Sequence, residues 1–188
     1  MSIKRSILFS WVLLAAFIIA ALIRKNYEFL FYASSLILLV LIIQISDKKF
    51  DYPKIALWGM NSWLILHLLG GMAKIGSTRL YDFMLLDIIG EPYHILKYDQ
   101  FVHAYCYFFA AFFIYTLIKK EAPKMQWGLA VFLTIVASIG IGGINEIIEF
   151  MAVVLVDSNG VGGYYNTAID LVANTIGAIF AIPFLKKL

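Results

Sequence analysis

The hydrophobic positions of this chain form six long runs separated by short polar segments. A membrane-spanning helix needs about 20 consecutive apolar residues to cross a hydrocarbon core about 30 Å thick. The runs that meet this requirement lie at 7–23, 28–45, 55–72, 101–118, 127–156 and 167–185. The pattern therefore predicts an all-α fold, a polytopic transmembrane helical bundle of six spans, with residues 1–188 forming a single integral-membrane domain.

The fifth run is longer than one straight crossing requires. At about 1.5 Å rise per residue, a helix over 127–156 exceeds the thickness of the hydrocarbon core. Its middle contains Gly140, Gly142 and Gly143, and helices often kink where glycines cluster. We therefore expect a glycine interruption at 140–143.

The segment between the third and fourth runs has a weaker helical pattern. Leu80, Phe83, Met84 and Ile88 recur at helical spacing, and a Gly-Glu-Pro stop signal follows at 90–92. The pattern predicts a short interfacial helix that lies on the membrane surface.

Composition supports the assignment to a membrane. Apolar residues make up 62% of the chain and charged residues 14%, against about 45–50% and about 25% in soluble domains. This balance excludes a soluble enzyme and a disordered chain. A net charge of +3 without a run of five like charges gives no indication of a nucleic-acid partner, so the expected partner is membrane lipid. With one cysteine, no internal disulfide and no cysteine-only metal site can form.

Basic residues predict the orientation. Ten of the fifteen Lys and Arg residues fall on the side of the bundle that holds both termini. Because cytoplasmic loops carry the excess of Lys and Arg, we expect a multi-pass protein of the cell (inner) membrane with both termini in the cytoplasm. The connections after spans one, three and five then face outward.

Charged and amide side chains inside the predicted spans are few and regularly spaced. A charged group at the centre of a membrane helix costs about 2.5–3.5 kcal/mol on insertion scales, so each is a candidate functional residue. Most are three or four residues apart, which puts them on one face of a helix. The pairs are Asp99 with His103, Glu146 with Glu149, and Asp170 with Asn174; Asn145 lies beside the second pair, and His67 lies near the end of span three.

These residues lie at a similar depth. In the expected orientation each is within a few helical turns of the outer end of its span. Four helices thus bring two histidines, four carboxylates and the amide of Asn174 to one level in the outer half of the membrane. The inner half holds almost no strongly polar residue.

The chemistry of this set indicates a metal site. Carboxylates held close together in a dry environment need a cation or a shared proton. Histidine with aspartate or glutamate is a ligand set of zinc, iron and manganese sites. Two alternatives remain open: an ion or proton pathway, and a hydrogen-bonded network that holds the helices together.

The same residues carry a resemblance to a known family. Segments 97–103 (KYDQFVH), 146–150 (EIIEF), 166–177 (NTAIDLVANTIG) and 67–71 (HLLGG) resemble the YjdF-like family of bacterial inner-membrane proteins over about residues 55–183. The motif of the last span is also similar to VanZ-like proteins linked to glycopeptide-antibiotic tolerance, which usually have glutamine where Glu149 stands. The resemblance implies a membrane protein of the cell envelope and supplies no reaction.

The leading interpretation is a metal-dependent hydrolase or transferase that acts on lipid or lipid-linked head groups. A divalent metal (zinc, iron or manganese) would be held by Asp99, His103, Glu149 and Asp170, with Glu146 or His67 as general base, and with Asn174 and Asn145 orienting a ligand or the substrate.

Two other functions fit the same residues. A transporter or channel for a cation, proton or small solute would use the carboxylates as its binding site and the glycine interruption as a broken helix. A non-enzymatic envelope protein would bind a lipid or antibiotic head group there. The pattern specifies no oligomeric state.

Overall fold

Each of the six apolar runs forms one long helix in the computed structural model, which describes residues 3–158 and 160–188. All six are long and apolar enough to cross a membrane. They are α1 (Arg5–Ile23), α2 (Tyr27–Phe50), α3 (Lys54–Met72), α4 (Tyr98–Glu121), α5 (Trp127–Val156) and α6 (Tyr164–Leu185). The predicted six-span helical bundle is confirmed.

Polar side chains cap the starts of two of the spans. The Asn26 side chain accepts a hydrogen bond from the Phe29 N–H (3.1 Å) and caps α2. The Gln100 side chain accepts from the Lys97 N–H (3.0 Å) at the start of α4. Successive spans run in opposite directions, so the connections after α1, α3 and α5 share one end of the bundle, here named the site face. Both termini share the other end, the terminal face.

Helix α4 is the centre of the bundle, because it packs on α3, α5 and most extensively on α6. A Cβ atom at Gly177 would lie 2.0 Å from the carbonyl oxygen of Ala104, so the backbones of α6 and α4 are in direct contact there. Large apolar side chains such as Phe180 and Ile147 point outward and are well exposed. In a membrane this outer surface contacts lipid.

A buried polar contact joins α1 and α3 in the half of the bundle near the terminal face. Ser10 donates a hydrogen bond to the Asn61 side-chain oxygen (2.7 Å), and the Asn61 amide donates to the Ser6 carbonyl (2.9 Å). All three residues are buried. This half therefore holds a buried amide whose oxygen and nitrogen both have partners, in addition to its apolar core.

Helix α5 is continuous from Trp127 to Val156, so the break expected at 140–143 does not occur. The glycines of this segment differ in their surroundings. A Cβ atom at Gly142 would lie 2.8 Å from the side-chain nitrogen of Asn174, whereas Gly140 and Gly143 have no neighbouring atom within 4 Å of that position. Gly142 thus gives the Asn174 side chain room against the α5 backbone.

The connection between α3 and α4 differs from the expected interfacial helix. Strands β1 (Lys74–Ile75) and β2 (Thr78–Arg79) pair antiparallel, and a single 3-10 turn follows at Leu80–Asp82. Beyond it, the N–H groups of Leu85 and Leu86 donate to the carbonyl of Leu96 (3.1 and 3.3 Å). The backbone of this segment therefore bonds across the loop, which replaces the bonds that a helix would make along its own axis.

Candidate functional site

His103 lies at the centre of the polar residues that the sequence singled out. Its Nε2 atom is 3.7 Å from an oxygen of Asp99 and 3.6 Å from an oxygen of Glu149. Its Nδ1 atom is 3.6 Å from an oxygen of Glu146. The imidazole is thus surrounded by carboxylates from its own helix and from α5. Because α4 is the central helix, His103 is 7% exposed.

Asn174 determines which nitrogen of His103 carries a proton. Its side-chain oxygen is 3.0 Å from His103 Nδ1, and a carbonyl oxygen only accepts hydrogen bonds. Nδ1 therefore carries a proton in this contact, and Nε2 faces Asp99 and Glu149. The close contact of α6 with α4 at Gly177, one turn beyond Asn174, holds this pair together.

Asp170 joins the cluster through Asn166, a residue not predicted to belong to the site. The Asn166 amide donates to Asp170 (2.6 Å) and to Asp99 (3.2 Å), so it links the carboxylates of α6 and α4. Asn166 precedes Asp170 by four residues. The spacing rule that paired the other residues would have identified it. On α5, the predicted neighbour Asn145 donates to Glu149 (2.8 Å).

Several polar atoms of the cluster are buried without a hydrogen-bond partner in the described part of the chain. They include both carboxylate oxygens of Glu146 and one of Asp170. Asp170 is 0% exposed and Glu146 is 8% exposed. Buried acceptors in folded proteins nearly always have a partner, so such atoms indicate a bound ion, water or proton.

Two groups of donor atoms have the spacing of a metal site, and His103 belongs to both. One consists of Asp99, His103 and Asp170, the other of His103, Glu146 and Glu149; within each group the ligand atoms lie within 4.8 Å of one another. The predicted ligands are therefore near each other. Glu146, predicted as a general base, is as close to His103 as Glu149 is.

His67 lies apart from the cluster but borders the same cavity of about 70 Å³, which Asp99, His103 and Glu149 also line. The Tyr81 hydroxyl donates to the His67 carbonyl (2.9 Å) and is 2.5 Å from His67 Nδ1. Because the hydroxyl has one proton, Nδ1 carries the proton in the second contact. The Nε2 lone pair of His67 is buried and has no hydrogen-bond partner within residues 3–158 and 160–188.

Tyr81 belongs to the connection between α3 and α4, and sequence reasoning gave it no role at the site. Burial raises the pKa of Tyr81 well above its ordinary value, and the charges of Asp99 and Glu149 act in the same direction. The phenol therefore stays neutral and keeps its proton for the His67 carbonyl. The contact spans 14 residues of sequence, so helical spacing could not reveal it.

Arg79 lines the same cavity at the site face of the bundle. It donates to the Gly160 carbonyl (2.5 Å) and to Asp82 (3.0 Å), and it lies 3.9 Å from Glu28. Burial lowers the pKa of Arg79, but the hydrogen bond that Arg79 donates to Asp82 and the charges of Asp82 and Glu28 outweigh it, and the net direction is upward. The guanidinium therefore remains charged and links the α3–α4 and α5–α6 connections.

The fold and the site define a class: a polytopic membrane protein with a histidine surrounded by carboxylates inside a helical bundle. A family model described as a predicted membrane protein (DUF2238) matches residues 5–188. The chain belongs to this family. No curated protein and no solved structure matches the chain.

Proposed function

We propose that this protein is a metal-dependent membrane hydrolase or transferase that acts on the head groups of lipids or lipid-linked molecules. The observation that carries the proposal is the cluster of one histidine and four carboxylates, in which three carboxylate oxygens have no hydrogen-bond partner among the described residues. Four negative charges in a low-dielectric bundle need compensating positive charge or protons. A divalent cation bound at His103 provides this positive charge at one point.

The donor separations support a metal bound through His103 Nε2. In a tetrahedral site with ligand distances of about 2.0–2.1 Å, two ligand atoms lie about 3.4 Å apart. Nε2 is 3.7 Å from Asp99 and 3.6 Å from Glu149, and Asp170 lies on the other side of the bridging Asn166 amide. Zinc, iron and manganese all accept this mixture of nitrogen and oxygen ligands.

Asn174 and Asn145 orient these ligands in the proposal. Asn174 accepts from His103 Nδ1–H, the outer contact that fixes the ring of a metal-binding histidine. Asn145 donates to Glu149. Each amide thus forms a hydrogen bond to a proposed metal ligand and orients it without binding the metal itself.

His67 is the better candidate for the general base. Its unpartnered Nε2 lone pair and the cluster border one cavity, and Tyr81 holds its tautomer. Glu146 instead belongs to one of the two ligand groups. A divalent metal would supply a Lewis acid for a phosphoryl or carbonyl oxygen and an activated water, and His67 would accept a proton across the cavity.

A cell-envelope role and an outer-leaflet site complete the proposal. The YjdF-like and VanZ-like resemblance of the cluster segments supports the envelope role, and the excess of basic residues at the terminal face supports cytoplasmic termini. The alternative hypothesis of a transporter relied partly on a broken fifth helix, but α5 is continuous. A cation or proton transporter and a non-enzymatic head-group-binding protein remain as outcomes of the test.

The test is the metal content of detergent-purified protein after loading with zinc, iron or manganese and removal of excess metal. We expect stoichiometric metal in the wild type, loss in His103→Ala and Glu149→Gln, and retention in His94→Ala. His94 is a matched control because it is a half-exposed histidine paired with Asp87 at the surface. Wild-type protein without stoichiometric metal, with a melting temperature unchanged by chelator, would overturn the proposal. Metal or proton flux into proteoliposomes that Asp170→Asn abolishes would favour the transporter.

A further inference from the structure

An apolar groove lies between α2, α4 and α5, next to the polar cavity. Its volume is about 440 Å³, within the usual range of about 300–1,000 Å³ for ligand sites. Buried side chains such as Leu36, Ile43 and Met60 line its floor, and exposed ones such as Leu38 and Ile144 line its rim. The groove forms because α2 packs on α1 and α5 but makes less contact with α4. It therefore opens sideways, toward lipid.

The groove and the polar cavity share part of their walls. Trp63, Tyr107 and Asn145 line both. Asn145 also donates to Glu149 (2.8 Å), so the end of the groove is one hydrogen bond away from the carboxylate cluster. An apolar groove thus adjoins a polar site, as the binding of an amphiphile requires.

The dimensions of the groove fit one hydrocarbon chain. Along α2 it extends from Ser35 to Ser46, which at about 1.5 Å per residue is about 16 Å. That length is about half of a hydrocarbon core about 30 Å thick, and the groove extends from the middle of the bundle toward the terminal face. A helix of the same length and about 10 Å in diameter occupies roughly 1,200 Å³, so a helix from a second protein does not fit the groove.

We infer that this groove binds one hydrocarbon chain of a membrane amphiphile whose polar head reaches the carboxylate cluster. The inference rests on the proposed function, because it names the substrate class of the same site. The chain enters at the exposed rim, where Leu38 and Ile144 lie, and runs from Asn145 toward the terminal face. The cavity of about 70 Å³ has room for about two waters, so only the reacting part of the head group enters it, and the groove provides the affinity for the lipid.

Two isoleucines on α5 offer a matched pair of variants. Ile144 lines the groove and is 56% exposed, whereas Ile147 is 60% exposed and lines neither the groove nor the polar cavity. Ile144→Trp fills the rim of the groove, and Ile147→Trp adds the same bulk on a surface that contacts bulk lipid. Ala110→Leu, which fills the groove from α4, is a second variant.

The experiment uses phosphatidylglycerol with a diazirine near the end of one acyl chain, in vesicles of phosphatidylethanolamine and phosphatidylglycerol. After irradiation, we expect labelling concentrated on the α2 and α4 segments that line the groove. It should fall at least severalfold in Ile144→Trp and Ala110→Leu, and stay unchanged in Ile147→Trp. Labelling spread evenly over α1 and α6, or an equal loss in both tryptophan variants, would overturn the inference.

Metal content, measured on the same samples, separates this inference from the proposed function. Loss of groove labelling with metal retained in Ile144→Trp is the expected result. Labelling spread evenly over the helices, with metal retained, would overturn the inference about the groove and leave the metal proposal in place. Groove-specific labelling in a wild type that binds no metal would support the groove and overturn the metal proposal alone.

Discussion

His103 on α4 and Asn174 on α6 form a buried hydrogen bond of 3.0 Å between Nδ1 and the side-chain oxygen. This bond links the imidazole directly to the last helix. It also leaves Nε2 facing two carboxylates. The orientation of the central side chain of the site thus depends on an uncharged residue of another helix.

Replacing Asn174 should therefore weaken metal binding without removing any proposed ligand. We expect Asn174→Leu to lower the affinity for zinc about 10–100-fold, the usual effect of losing the partner that orients a metal-binding histidine. Asn174→Asp keeps an oxygen that accepts from Nδ1–H and should retain most of the affinity. Competition against a chromophoric chelator measures both values. Equal affinities in the wild type and Asn174→Leu would show that Asn174 does not orient His103.

The contact between Gly177 and Ala104 should be sensitive to a single methyl group. A Cβ atom in Gly177→Ala would lie 2.0 Å from the Ala104 carbonyl oxygen, so α6 must shift away from α4. We expect a destabilisation of about 1–3 kcal/mol, typical of overpacked cores, and weaker metal binding because Asn174 moves with α6. Melting temperature in detergent measures the stability.

Gly143→Ala is the matched control for that substitution. Beyond the neighbouring backbone of α5, no atom of the described residues lies within 4 Å of a Cβ at Gly143, and alanine is favoured over glycine in a helix by roughly 0.5–1 kcal/mol. This variant should melt at or slightly above the wild-type temperature. If both variants melted like the wild type, close packing of α4 and α6 would not be needed for stability.

The spans, and the distance of each polar residue from the end of its helix, could be predicted because both follow from one helix at a time. Apolar length determines a span, and the rise per residue determines the depth of Asp99 or Glu149 within it. The rotation of each helix about its axis depends on neighbours, however. The sequence placed His67 and His103 at one level but could not show that His67 bonds to Tyr81 while His103 bonds to Asn174.

The connection between α3 and α4 shows why helical spacing alone was misleading. Leu80, Phe83 and Met84 have the spacing of an amphipathic helix. The Tyr98 N–H donates instead to the Phe83 carbonyl (2.9 Å), and Met84 pairs with Lys97 in an isolated β-bridge. These bonds join the two ends of the connection. They hold Tyr81 over His67, which a surface helix separate from the bundle would not do.

Tyr81→Phe should change the hydrogen bonding and the tautomer of His67 specifically. The variant removes both contacts of the hydroxyl, and each lost hydrogen bond costs about 0.5–1.5 kcal/mol net. We expect a lower melting temperature and a shift in the tautomer of His67, observed by nitrogen-15 NMR of labelled histidines. His103 should keep its tautomer, since Asn174 determines it. Tyr164→Phe, at an 82% exposed tyrosine, should change neither measurement, and an unaltered His67 signal in Tyr81→Phe would contradict the assignment.

The orientation of the bundle decides whether the site faces the outer or the inner leaflet. We expect the site face to be outward, since the terminal face carries ten of the fifteen basic residues. In a Cys106→Ser background, Tyr164→Cys should react with a membrane-impermeant maleimide from the outside, and Lys187→Cys should react only after permeabilisation. Both positions are exposed and lie at opposite ends of α6. The reverse pattern would place the carboxylate cluster in the inner half of the membrane, and the substrate would then have to come from the cytoplasmic leaflet.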